Sequence, residues 1–85
     1  MSKDLEELRG QLDRIDQQMV DLFRERMELS GQVAEYKREK GIPVLDAGRE
    51  RALLSKVGER AGEELADYAQ SMYLSLIHIW WERSI

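Results

Sequence analysis

From the N-terminal end, apolar residues recur at steps of three and four: Leu5, Leu8, Leu12, Ile15, Met19 and Leu22. That spacing draws a heptad seam along one face of a helix. The seam resumes at Leu29, Val33 and Tyr36. Ser2 is placed to cap its start, and Asp4, Glu6 and Glu7 suit the positive end of the helix dipole. Lys37, Arg38 and Lys40 suit the negative end, and Gly41-Ile42-Pro43 then stops the helix. The pattern predicts one helix from about Lys3 to Lys40, roughly 55 Å long at 1.5 Å per residue. Such a helix is longer than a small domain is wide. Its seam needs a partner to cover it.

Past the turn Gly41 to Leu45, Asp46 is a good N-cap for a second helix. The apolar face of that helix reads Leu53, Leu54 and Val57, with Ala52 and Ala61 beside it. Gly58 weakens it, and Gly62 ends it. A third helix is expected from about Glu63, with Leu65, Tyr68, Ala69, Met72, Tyr73 and Leu76 at helical spacing. Runs of β-branched residues at period two are missing, as are repeats and linkers. The fold class that follows is all-α, a single domain over residues 1–85 with helices in the order long, short, medium.

The C-terminal stretch has its own character. Leu74-Ser75-Leu76-Ile77-His78-Ile79-Trp80-Trp81 holds both tryptophans and the only histidine. One reading is a buried helical end. The other is a non-native segment over residues 74–85, because Leu74 to Trp80 resembles a translated sequencing or cloning adapter.

Composition removes most familiar chemistries. With 85 residues the chain buries a small fraction of its surface, so a marginal monomer or an obligate oligomer is expected. Cysteine is absent, which excludes disulfides and thiolate sites, and one histidine is too few for a zinc site or a Ser-His-Asp triad. The net charge of −4 argues against nucleic acid as a partner. No apolar run is long enough for a membrane span, and Met1-Ser2-Lys3-Asp4 carries no signal region, so a cytoplasmic protein is expected.

Six positions interrupt this plain picture. Continuing the seam by four from Leu22 reaches Arg26, a cation in an apolar stripe. It requires an ion-pair partner, such as Glu25 or Glu28 of a neighbour, or an anionic ligand. Lys37 favours the ligand, since 26, 30, 33 and 37 follow one helix face about 16 Å long. Arg9 is the third cation, roughly 25 Å from Arg26 along the axis. An antiparallel copy of the helix, with a two-fold axis near Met19 and Val20, carries Arg9 to the level between Arg26 and Lys37 of its partner. At the second helix start, Asp46, Arg49 and Glu50 flank N–H groups able to contact a polar ligand.

Leu8-Arg9 with Leu12, Ile15 and Asp16, then Arg24-Glu25-Arg26-Met27-Glu28-Leu29, resembles the all-helical AroQ class of chorismate mutases. Val33-Ala34-Glu35-Tyr36-Lys37, followed by Gly41-Ile42-Pro43-Val44-Leu45-Asp46 and Arg49-Glu50-Arg51, extends the resemblance, which covers about Leu5 to Tyr73. It implies an intertwined antiparallel homodimer of three-helix chains. It also implies rearrangement of chorismate to prephenate in phenylalanine and tyrosine biosynthesis, with no metal and no cofactor. Carried over by position, Arg9 of one subunit and Arg26 of the other are the expected carboxylate clamps. Lys37 serves a carboxylate and the ether oxygen. Asp46, through its backbone, and Glu50 hold the ring hydroxyl, with Arg49 in support. Many related domains form the N-terminal part of a larger protein carrying prephenate dehydratase. The third helix departs from the family pattern. Its polar residue near a carboxylate and its Gln or Glu at the ether oxygen fall, without gaps, on Trp80 and Ser84. Trp is too bulky for the first role and Ser too short for the second. The alternative function is a non-catalytic helical dimerisation or anion-binding regulatory module of the same fold.

Overall fold

A computed structural model describes residues 4–83, and side chains through Ile79. Among the described residues the chain is all-helical: α1 (Leu5–Lys40), α2 (Ala47–Ala61) and α3 (Ala66–Arg83). The long, short, medium order is the expected one.

Asp4 caps α1, its Oδ1 accepting the Glu7 N–H at 2.8 Å. A short acidic side chain at this point satisfies an orphan donor and complements the helix dipole. The cap expected at Ser2 lies outside the described residues. At the other end Gly41 takes φ +68°. Its N–H donates to Arg38 O at 3.3 Å, and the Ile42 N–H donates to Lys37 O at 2.8 Å. These are the paired bonds of a Schellman stop, which needs a left-handed residue and therefore favours glycine.

The cap of α2 is Asp46, with φ −127° and ψ 98°, its side chain accepting from the Arg49 N–H. Gly62, at φ 89°, closes the helix through an N–H bond to Gly58 O. The third helix starts later than expected. Residues 63–65 form a turn instead, closed by Leu65 N–H to Gly62 O at 3.1 Å, and Leu65 O then accepts from Ala69 N–H at 2.9 Å. The chain must reverse after Gly62, and three residues are used to do so.

By contact the chain divides into two compact units, Met1–Gly31 and Gln32–Ile85. The described part of the first is α1 residues only, and a lone helix offers nothing to bury its own stripe against. Leu5, Leu8, Leu12, Ile15, Met19 and Leu22 are accordingly 44–63% exposed. In the second unit α2 packs on α3. Val57 is buried there, and Leu53, Leu54, Ala66, Tyr73 and Leu76 are half-buried. A Cβ on Gly58 would lie 2.6 Å from Gln70 Nε2 and 3.7 Å from the Ala66 Cβ. The glycine therefore admits the Gln70 amide, which donates to Leu54 O at 3.0 Å. A residue that weakens α2 as a helix thus leaves room for a hydrogen bond from α3.

The described part of residues 74–79 is helical, with Leu76, Ile77 and Ile79 half-buried and Leu74 exposed. No helix among the described residues is long and apolar enough to cross a membrane.

Candidate functional site

Lys37 lies on the last turn of α1, three residues before the helix ends, and is half-buried. Its Nζ donates to the backbone carbonyl of Val44 at 3.1 Å. The ammonium is thus drawn back over the connection Gly41 to Asp46 rather than left to sweep through water. That connection is stiff: Gly41 is in the left-handed region, Ile42 is restricted to extended backbone by the following proline, and Pro43 has its φ locked.

Asp46 and Arg49 are exposed, and the Asp46 carboxylate is engaged as the α2 cap, 3.1 Å from the Arg49 N–H. The Asp46 carbonyl accepts the Glu50 N–H at 3.0 Å. Glu50, on the first turn of α2, is half-buried, and its Oε1 is buried without a hydrogen-bond partner. A carboxylate oxygen is acceptor only, and one removed from water and left unbonded costs about 1–3 kcal/mol. A ligand hydroxyl or amine would relieve that cost.

Lys37, Asp46, Arg49 and Glu50 all belong to the unit Gln32–Ile85, which therefore offers one held cation and one unsatisfied acceptor. Arg9, exposed, and Arg26, half-buried, belong to Met1–Gly31. Trp80 is on α3 with no described side chain, and Ser84 lies outside the described residues. No group of three or more His, Asp or Glu among the described residues is arranged to hold a metal ion. The Val44 carbonyl was not visible to sequence reasoning, because a backbone acceptor carries no side-chain signature. The pinned tripeptide Gly41-Ile42-Pro43 before it is the nearest thing to a signal.

A sequence profile of the family described as chorismate mutase type II matches residues 8–83. That span includes every candidate site residue except Ser84. A 4-amino-4-deoxychorismate mutase from Streptomyces venezuelae is 35% identical over 65 residues, covering 76% of this chain and 59% of that protein. A chorismate mutase from Methanocaldococcus jannaschii is 34% identical over 67 residues, 79% of this chain and 68% of the other. A T-protein from Haemophilus influenzae is 38% identical over 50 residues, 59% of this chain and 13% of the other. The chain thus spans less than two thirds of the Streptomyces relative and a small part of the T-protein. No solved structure matches it. On the profile match and these relatives together, the chain belongs to the chorismate mutase type II family.

Proposed function

We propose that the chain is an isomerase converting chorismate to prephenate, working in the cytoplasm as an intertwined antiparallel homodimer. The observation that carries this reading is the presence, within one unit, of the held Lys37 ammonium and of the buried, unsatisfied Glu50 Oε1. Chorismate offers both complements: carboxylates and an ether oxygen for the cation, a ring hydroxyl for the acceptor.

The reaction breaks an ether C–O bond and forms a C–C bond within one molecule. Two demands follow, a compact conformer and fixed positive charge where the ether oxygen gains electron density. Arg26 and the partner subunit's Arg9 clamp the two carboxylates, a task the planar, bidentate guanidinium suits. Lys37 meets the ether oxygen as charge develops. Asp46, through its backbone, and Glu50 fix the ring hydroxyl, and Arg49 supports them. Only contacts stronger in the transition state than in the ground state raise kcat, so Lys37 matters most for rate.

The Streptomyces relative, named for 4-amino-4-deoxychorismate, motivates a second substrate reading. An amine in place of the ring hydroxyl also donates to Glu50 Oε1. Following absorbance loss of both compounds with purified protein separates the two substrates. A chain that dimerises and turns over neither is the non-catalytic module instead.

Subunit complementation tests the shared site. An Arg9→Ala chain mixed with an Arg26→Ala chain gives dimers with one site carrying both lesions and one carrying neither. Activity is expected to return toward one intact site per mixed dimer. No recovery despite proven mixed dimers places both arginines in one subunit's site and sinks the antiparallel arrangement.

A further inference from the structure

Resting on the proposed reaction, we infer that the backbone carbonyl of Val44 is the positioning group for the Lys37 cation, and that Gly41 and Pro43 exist to deliver it. Lysine carries its charge on a flexible four-carbon stem, and holding such a stem still is entropically costly. Here the stem is half-buried and its Nζ is already 3.1 Å from Val44 O before any ligand is bound. The acceptor is neutral, which is the point of the arrangement. A carboxylate partner would fix the ammonium equally well but cancel its field at the reacting oxygen. A carbonyl dipole fixes it and leaves the full charge, and it occupies one of three N–H donors.

The backbone between the two groups is built to keep this distance. The Schellman stop at Gly41 closes with Ile42 N–H to Lys37 O, so the residue bearing the cation also anchors the start of the connection. The Ile42-Pro43 pair then allows little freedom up to Val44. Lys37 thus makes two short bridges to the connection, its backbone carbonyl to the Ile42 N–H and its side chain to the Val44 carbonyl seven residues on.

Two measurements on the full chain test the inference. In the free protein, Lys37→Met should move the Val44 carbonyl ¹³C resonance well outside the change caused by Lys40→Met. In steady-state assays with chorismate, Pro43→Gly should lower kcat about tenfold with KM within about twofold and the melting curve native-like, since small misplacements of a reacting group cost rate steeply. Gly41→Asn, which tolerates left-handed backbone, should keep kcat where Gly41→Val loses it. A Val44 carbonyl indifferent to Lys37→Met overturns the inference, as does unchanged kcat in Pro43→Gly. If the unmutated chain turns over no chorismate at all, the proposed reaction fails, and the carbonyl shift alone decides whether the Lys37 bond exists.

Discussion

Glu50 keeps one carboxylate oxygen out of water with no donor to meet it. In a protein selected only for stability such an atom is a defect, worth about 1–3 kcal/mol. Replacing Glu50 with Met keeps the side chain's length and removes the orphan acceptor. Urea unfolding should therefore show Glu50→Met as stable as the parent or more stable by about 1 kcal/mol, while kcat/KM for chorismate falls at least about tenfold, the worth of one lost hydrogen bond to a bound ligand. A loss of stability equal to the loss of activity would mean that Glu50 is structural. Asp46 is the opposite case. Its side chain is committed to capping α2, so only its backbone is left to serve a ligand.

At the scale of the helices, the contact of α2 with α3 sets two helix rules against each other. Alanine is preferred over glycine inside a helix by about 1 kcal/mol, yet a Cβ on Gly58 would meet Gln70 Nε2 at 2.6 Å. Because that atom is the end of a movable side chain, Gly58→Ala should displace it and lose the bond to Leu54 O, worth about 1 kcal/mol. The two effects nearly cancel. In a Gln70→Ala background the same change should stabilise by up to about 1 kcal/mol, and a thermal or urea double-mutant cycle reads the coupling directly. Additive single effects would show that Gln70 and Gly58 do not act together.

The end of α3 carries a different prediction. Trp80→Ser with Ser84→Gln returns a hydroxyl and an ether-oxygen donor to the positions that the resemblance assigns. Such a donor is commonly worth 10²–10³ in rate, about 2.7–4 kcal/mol. The chain as given should turn over chorismate slowly, and the double change should raise kcat more than it lowers KM. An unchanged kcat with native-like circular dichroism refutes the ungapped alignment that assigns those roles to positions 80 and 84.

Much of this was legible in the chain itself, for physical reasons. Gly41, Asp46 and Gly62 are residues whose backbone or side-chain chemistry is nearly specific to helix ends, and each ends or begins a helix where expected. The turn over residues 63–65 was not legible, because Glu63, Glu64 and Leu65 are all good helix formers and the reversal is imposed by packing. Gln70 on Leu54 O was hidden for the same reason: a polar residue beside an apolar stripe reads as solvated until the facing glycine is known. In the site, charge and spacing pointed to Lys37 and the family resemblance to Glu50, but neither the carbonyl that holds one nor the missing partner of the other has any signature in residue type.

For the whole molecule, the decisive quantity is the uncovered stripe on α1. Its leucines are about half exposed, so covering each one further contributes on the order of 1 kcal/mol. Summed along the seam this is ample for association. Analytical ultracentrifugation at micromolar concentration should show the proposed dimer, and Leu12→Glu with Ile15→Glu should leave monomers of lower helicity. A parent chain that sediments as a monomer and still melts cooperatively rules the intertwined arrangement out.

The same stripe has a kinetic consequence. Among its described residues, the unit Met1–Gly31 contains no second element on which its helix can settle. Helices in proteins owe most of their stability to such packing. In the proposed dimer, ordering that segment is an encounter between two molecules, and its rate should scale with how often they meet. Refolding followed at 222 nm after a denaturant jump should show a slow phase whose half-time shortens in proportion to chain concentration, alongside a concentration-independent phase from α2 and α3. In the proposed dimer, dilution alone should therefore unfold the N-terminal segment.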